Sequence, residues 1–241
     1  MNKIKKLLVI GVASVLAIGA VIGGSYAFFI DKAEDSTQGQ AGEVTIAMGP
    51  LALTNANNIN PGDNDETKSS TSRGGTSHDF TFSVENKGNK SIMTRNVITI
   101  NVADGTLPAY VYSLKTSTNR ELGEKFYSLD GRTFVSANNI GVSDLSSVKY
   151  VRYITPQVAL NGVGANAEID ADSTTNSVEG ANPSADITSV DYTYLLKLIK
   201  AAGDEYEKSD LTIEVEVQAM QYRNTGDEDW VTLFTDMLTV N

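Results

Sequence analysis

The sequence predicts an all-β protein, an antiparallel β-sandwich of jelly-roll-like form, with long loops and room for one short helix near the C-terminus. Several short stretches alternate apolar and polar side chains, as half-buried strands do. The segments between them vary in length and are rich in Gly, Asn, Ser and Thr. A helical period of apolar residues occurs only near the C-terminus. Together these features favour two packed antiparallel sheets.

The first strand is predicted from Glu43 to Met48, where every second residue is apolar. Gly49-Pro50 interrupts the run, and Leu51 to Leu53 can resume it. Residues 55–75 have the composition of a loop and contain the turn cluster Asn60-Pro61-Gly62-Asp63.

The clearest alternation lies after this loop. Phe80, Phe82 and Val84 alternate with polar residues, and Asn86-Lys87-Gly88-Asn89 predicts a turn. The strand predicted next has one apolar face, formed by Ile98, Ile100 and Val102.

The middle of the chain is less regular. Short strand candidates lie at Tyr110–Leu114, Thr133–Val135 and Val148–Ile154. Residues Asn161 to Ser189 are mostly small and polar, which predicts a long mobile surface loop.

The C-terminal third has the strongest patterns. Residues from Tyr192 to Leu198 alternate like a strand, although a helix from Tyr192 to Ala202 is an alternative. In Leu211–Ala219 every odd-numbered residue is apolar and every even-numbered one is polar. This pattern predicts a core strand with one face buried and the other in water.

The last segment changes its period. The apolar residues are spaced as on one face of a helix: Trp230, Leu233, Phe234, Met237 and Leu238. Acidic residues Asp227, Glu228 and Asp229 open this run, where they complement a helix N-terminus. A short closing helix is predicted, with a final strand as the alternative.

The N-terminus reads as a secretory signal peptide. Three lysines precede an uncharged run from Leu7 to Ile30, and Ser25 and Ala27 are small residues at the positions that a signal peptidase reads. Cleavage is predicted between Ala27 and Phe28. The run is also long enough for an uncleaved membrane anchor, because about 20 apolar residues span a bilayer. The predicted organisation is a signal peptide at 1–27, a flexible arm at 28–42 and one β-sandwich domain at 43–241.

Composition limits the partners of this chain. It has 241 residues, no cysteine and a net charge of −11 at pH 7. Such acidity argues against nucleic acid and against anionic membranes as partners. Contact with a membrane is expected only through an uncleaved signal segment.

No catalytic, cofactor-binding or metal-binding residue is predicted. The chain has one histidine, His78, and no HExxH motif, whereas catalytic zinc usually takes three protein ligands. No GxSxG motif surrounds a serine. The acidic clusters 63–66, 170–172 and 227–229 lack the spacing of a calcium loop and read as solvated loop charges.

The N-terminal region resembles the TasA/camelysin family, which Gram-positive bacteria export and a SipW-type signal peptidase processes. The motifs that carry the resemblance are Gly23-Gly24-Ser25-Tyr26-Ala27 and Phe29-Ile30-Asp31. Weaker similarities are Asn60-Pro61-Gly62-Asp63 and the Phe80-x-Phe82-x-x-x-Asn86-x-Gly88 run. The resemblance implies a secreted jelly-roll protein that forms biofilm-matrix fibres. It also implies, for some members, metallopeptidase activity, which a single histidine does not favour here.

A new N-terminus reading Phe28-Phe29-Ile30 would expose three apolar residues on a flexible arm. As a strand added to the sheet of another subunit, these residues would be buried. Head-to-tail addition of this kind gives filaments. Phe28, Phe29 and Ile30 are therefore the predicted assembly strand. The alternatives are a segment folded back on its own domain, a camelysin-like metallopeptidase and a monomeric surface adhesin or binding module.

Overall fold

A computed structural model describes residues 44–56, 59–62, 78–102, 107–118, 120–163, 181–183, 187–203, 205–206 and 210–222. Within them the chain forms twelve strands. These are β1 (Ile46–Met48), β2 (Ala52–Leu53), β3 (Asp79–Asn86), β4 (Ile92–Val102), β5 (Tyr112–Lys115), β6 (Glu124–Ser128), β7 (Val135–Ser136), β8 (Tyr150–Ile154), β9 (Val158–Leu160), β10 (Ala181–Pro183), β11 (Ser189–Leu198) and β12 (Leu211–Gln221). Short 3-10 turns at Ala109–Val111, Ala137–Asn139 and Val142–Ser147 connect some of them. No helix within the described residues is long and apolar enough to cross a membrane.

The first sheet is built around β3 and β11. Its order is β1-β3-β11-β10, with β2 also along β3 and β5 also along β11. All of these pairs are antiparallel. Each of the two central strands therefore has one edge shared by two short strands.

The second sheet is built around β4. Its order is β12-β4-β8-β6-β7, with β9 beside β8 along the same edge of β4. The β4–β12 pair is antiparallel and continuous over eleven residues, from Leu211 opposite Val102 to Gln221 opposite Ile92. The antiparallel β-sandwich that the sequence predicts is confirmed.

The main core lies between the two sheets. The inward side chains of β3 are Phe80, Phe82 and Val84, and those of β11 include Tyr192 and Tyr194. Phe82 stacks on Tyr192 with 4.9 Å between ring centroids. From the second sheet, the core receives Ile92, Ile98, Ile100, Val102, Val151, Tyr153, Val158, Leu160, Val215, Val217 and Ala219.

The strongest sequence patterns correspond to real strands. The run at Phe80 is β3, the Val148–Ile154 candidate contains β8, and Leu211–Ala219 lies within β12. Residues from Tyr192 to Leu198 belong to β11, so the helical alternative there is wrong. Pairing of β11 on both edges, with β3 on one and β5 and β10 on the other, favours the strand.

Other predictions need correction. Strands β6 and β9 are absent from the sequence prediction, and β10 lies inside 161–189, which the sequence predicts as a loop. The Tyr110–Leu114 candidate starts as a 3-10 turn and becomes the strand β5 only at Tyr112. Gln218, predicted in water, is buried. The predicted closing helix lies outside the described residues.

Candidate assembly surface

His78 lies immediately before β3, and its side chain is buried. Its Nδ1 atom is 3.3 Å from the carbonyl oxygen of Thr54, which follows β2. The backbone carbonyl of His78 accepts a hydrogen bond from the amide of Leu196 in β11. This position, between two strands of the first sheet, suits a structural histidine.

Within the part of the chain that the structure describes, no group of three His, Cys, Asp or Glu side chains could hold a metal ion. The acidic clusters 63–66, 170–172 and 227–229 lie outside the described residues. The absence of a zinc site therefore stays a prediction.

The predicted signal and assembly residues also lie outside the described part. This applies to the cleavage residues Ser25, Ala27 and Phe28, and to the assembly strand Phe28, Phe29 and Ile30. What the structure does provide is the set of sheet edges on which such a strand could be added.

Strand β12 forms one edge of the second sheet. Among the described strands it pairs only with β4, so its other edge faces none of them. In an edge strand about half of the backbone N–H and C=O groups point away from the sheet, and such a row is a template for another strand. The edge is uninterrupted over eleven residues.

The remaining edges are shorter or broken. Along the outer edge of β3, β1 and β2 have three and two residues and are separated by Gly49, Pro50 and Leu51. Strand β7 has two residues, and β10 has three and ends in Pro183, which lacks an N–H. Among the described strands, β12 is therefore the best suited to accept an added strand.

The two halves of β12 differ in exposure. Val215, Val217 and Ala219 are buried between the sheets. Leu211 and Ile213 face the same way and pack against the core, but both are only partly buried. The N-terminal half of β12 thus combines a backbone edge that no other described strand covers with apolar side chains that are only partly buried.

Charged residues line the opposite face of the same sheet. Arg95 on β4 pairs across the strands with Gln218, and its Nε donates a hydrogen bond to Gln218 Oε1 at 2.7 Å. Burial lowers the pKa of Arg95 to about 10, and the charges of Glu124 and Glu216 oppose this effect only in part. Burial likewise lowers the pKa of Arg152, whose guanidinium lies 3.5 Å from the ring centroid of Phe134.

Sequence reasoning did not identify the edge of β12 or the pair Arg95–Gln218. The alternation in Leu211–Ala219 predicts a strand but not its place in the sheet. One signal in the sequence was available for the Arg95–Gln218 pair. Glu216 and Gln218 lie on the polar face of the predicted strand, and such a face meets either solvent or polar partners. Arg95 lies before the stretch whose alternation predicted the strand, so nothing in the pattern linked it to Gln218.

Comparison with known proteins adds one match. Residues 3–99 match the sequence profile of the camelysin metallo-endopeptidase family. The matched region runs from the predicted signal segment into β4. No curated protein matches the chain.

Proposed function

Residues 3–99 match the profile of the camelysin metallo-endopeptidase family, and from this match we propose that the protein is a TasA/camelysin-like structural subunit of an extracellular matrix fibre. Members of the family are secreted or cell-surface proteins. In this proposal each subunit donates its N-terminal strand, with Phe28, Phe29 and Ile30, to the sheet of the next subunit.

The edge of β12 that no other described strand covers carries this proposal. Its eleven residues offer a longer backbone template than any other edge among the described strands. Leu211 and Ile213 are partly exposed apolar side chains on that strand, against which a donated strand could bury its own. A strand added there would gain both backbone hydrogen bonds and apolar contacts.

Such an arm is long enough to reach another subunit, and its burial would favour association. A twelve-residue tether, residues 31–42, can extend about 40 Å, since an extended chain advances at most about 3.3–3.6 Å per residue. Complete burial of each large apolar side chain contributes roughly 1.5–3 kcal/mol. Three such side chains and the added backbone hydrogen bonds can offset much of the entropy lost on association.

Deletion of Phe28 to Ile30 tests the donor. We expect the shortened protein to stay folded by circular dichroism and to form no filaments in electron micrographs. The same peptide supplied separately should occupy the acceptor edge and lower filament yield in the intact protein. Filaments formed by the shortened protein would contradict strand donation, and its unfolding would indicate that the segment belongs to its own domain.

A pair of substitutions on one strand tests the acceptor. Ile213→Asp places a carboxylate where the donated strand would pack, and it should lower filament yield by a large factor. Glu214→Lys, on the other face of β12, should leave the yield nearly unchanged. Equal effects would mean that β12 is not the acceptor.

The metallopeptidase alternative rests on the name of the matched family. We expect purified protein to contain no stoichiometric zinc and His78→Ala to leave any measured hydrolysis unchanged. Bound zinc at one equivalent, or loss of a genuine activity in His78→Ala, would favour the enzyme instead.

A further inference from the structure

The outer face of the second sheet, which points away from the main core, carries a second set of buried apolar side chains. The residues are Met93, Val97, Ile154, Ala159 and Met220, each between 0% and 8% exposed. They lie side by side, since Met93 pairs with Met220 on one strand and with Ala159 on another, and Val97 pairs with Ile154. We call these five residues the outer apolar face.

The outer apolar face is separate from the main core. None of its five residues belongs to the cluster that fills the space between the sheets. Of the 3-10 turns that contact this sheet, one contributes Ala109 and Val111 to the main cluster, and Ala137 of another packs against that cluster. Large side chains such as Met on an uncovered sheet face would stay partly exposed, so their burial requires a covering layer.

The chain beyond β12 starts beside this face. Met220 is the next-to-last residue of β12, and the amide of Tyr222 donates a hydrogen bond to the carbonyl of Ser91 at 2.8 Å. That bond holds Tyr222, the last described residue, near Met93, which lies two residues after Ser91. The nineteen residues from 223 to 241 follow, outside the described part.

The sequence of this segment complements the face. Its apolar residues are spaced for one side of a helix: Trp230, Leu233, Phe234, Met237 and Leu238. A twelve-residue helix over 227–238 would be about 18 Å long. Four strands spaced about 4.8 Å apart have a similar width, so one helix could cross the sheet.

Charge agrees with this placement. The buried guanidinium of Arg95 lies in the same face, between Met93 and Val97 along β4. The segment opens with three carboxylates, Asp227, Glu228 and Asp229. A buried cation is retained at lower cost when an anion lies near it.

From these observations we propose that residues 227–238 pack on the outer apolar face and form a third layer of the domain. The occupant is a segment of this same chain, and the interaction does not depend on fibre formation. The second sheet then lies between the main core and this outer layer.

Trp230, the single tryptophan of the chain, reports on this contact directly. In the exported, folded protein its fluorescence should be blue-shifted and poorly quenched by acrylamide. Met220→Lys should shift the emission to the red and raise the quenching constant several-fold, while far-ultraviolet circular dichroism is unchanged. Glu214→Lys is the matched control, because it lies on the same face of the same strand but is exposed, and it should change neither signal.

A second pair of variants covers the case in which Met220→Lys does not fold. Phe234→Lys falls on the apolar side of the segment and should release Trp230. Thr232→Lys falls on the opposite side and should leave the quenching unchanged.

Three results would overturn the proposal. Trp230 could be as accessible to acrylamide in the folded protein as in urea. Met220→Lys could instead reduce the molecular mass in solution, which would identify a second copy of the chain as the cover. Deletion of residues 28–42, and not the tail variants, could expose the face to a hydrophobic dye, which would identify the N-terminal arm.

Discussion

The side chain of Asn86 holds the turn between β3 and β4. Its Nδ2 donates to the carbonyls of Lys90 at 2.7 Å and Asn161 at 3.0 Å, and its Oδ1 accepts from the amide of Gly88 at 3.0 Å. The side chain is completely buried. One amide thus satisfies three backbone groups and joins two connections that are distant in the sequence.

Asn86→Asp should lower the free energy of unfolding by roughly 2–5 kcal/mol, because the carboxylate cannot donate to either carbonyl and its charge is buried. Urea denaturation measures the loss. Asn138→Asp is the control, since Asn138 is exposed, and it should cost less than about 0.5 kcal/mol. A loss at Asn86 as small as that of the control would contradict the role of these hydrogen bonds.

Among the described residues, three polar side chains inside the main core make no hydrogen bond of good geometry. They are the hydroxyls of Tyr192 and Tyr194 from the first sheet and the amide of Asn96 from the second. Tyr206 differs, because its hydroxyl donates to the carbonyl of Pro108 at 3.0 Å. Desolvation of a hydroxyl without a partner opposes folding.

Tyr192→Phe and Tyr194→Phe should therefore leave stability unchanged or raise it slightly. Tyr206→Phe should lower the free energy of unfolding by about 1 kcal/mol, the usual net value of one hydrogen bond. Thermal or chemical denaturation of the three variants measures these changes in the free energy of unfolding. Equal losses in all three would show that the inner hydroxyls are hydrogen bonded in solution.

The same tyrosines predict instability at alkaline pH. Burial raises the pKa of Tyr192 to about 12, and the side chains of Asn96 and Thr94 lower this pKa by a smaller amount. Burial raises the pKa of Tyr153 and Tyr194 as well. In the unfolded chain a tyrosine ionises near pH 10. Stability from Tyr192 is complete below about pH 10 and is lost as the pH rises through about 12, and Tyr153 and Tyr194 act in the same direction.

Tyrosinate absorbance and circular dichroism should therefore change together in an alkaline titration. Tyr192→Phe should make the fall in stability less steep, because one raised pKa is removed. Ionisation of all tyrosines near pH 10 with the fold intact would contradict the burial of these hydroxyls.

Strand β12 supplies a test of its two faces. Val215 is buried between the sheets, opposite Ile98, whereas Glu214 is exposed. Val215→Asp buries an unpaired carboxylate and should cost about 3–5 kcal/mol. Glu214→Lys should cost less than about 0.5 kcal/mol. Equal destabilisation, measured by urea denaturation, would contradict the orientation of the strand.

The sequence pattern identifies strands best where one face is buried and the other is exposed to solvent. This holds for β3 and β11, whose residues alternate between buried and more exposed. For β4, which is buried on both faces, it detects only the C-terminal part with Ile98, Ile100 and Val102, and Met93 and Arg95 lie before that stretch. It fails for β9, whose three residues are too few to show a period.

The candidate acceptor edge could not be predicted, because edge position depends on pairing between distant strands. Leu211–Ala219 reads as a core strand, yet among the described strands β12 lies at the end of its sheet. The position of His78, in contrast, follows from the local pattern, since this residue lies in phase with Phe80 and Phe82 and immediately precedes β3.

The mature protein is expected to start at Phe28 after cleavage of the signal peptide. Ser25 and Ala27 follow a long uncharged segment and supply the small residues that signal peptidases require. N-terminal sequencing of material from the culture medium should begin Phe-Phe-Ile-Asp. A start well beyond Asp31, or an intact chain held in the membrane, would contradict cleavage at this bond.

The continuous β4–β12 ladder also sets an order on folding. Every pair in it joins residues about a hundred or more positions apart, so each contact closes a long loop, and such contacts form slowly. If the chain is exported N-terminus first, as its signal segment predicts, the second sheet cannot be completed until β12 has emerged. That sheet would then stay incomplete for most of the passage across the membrane.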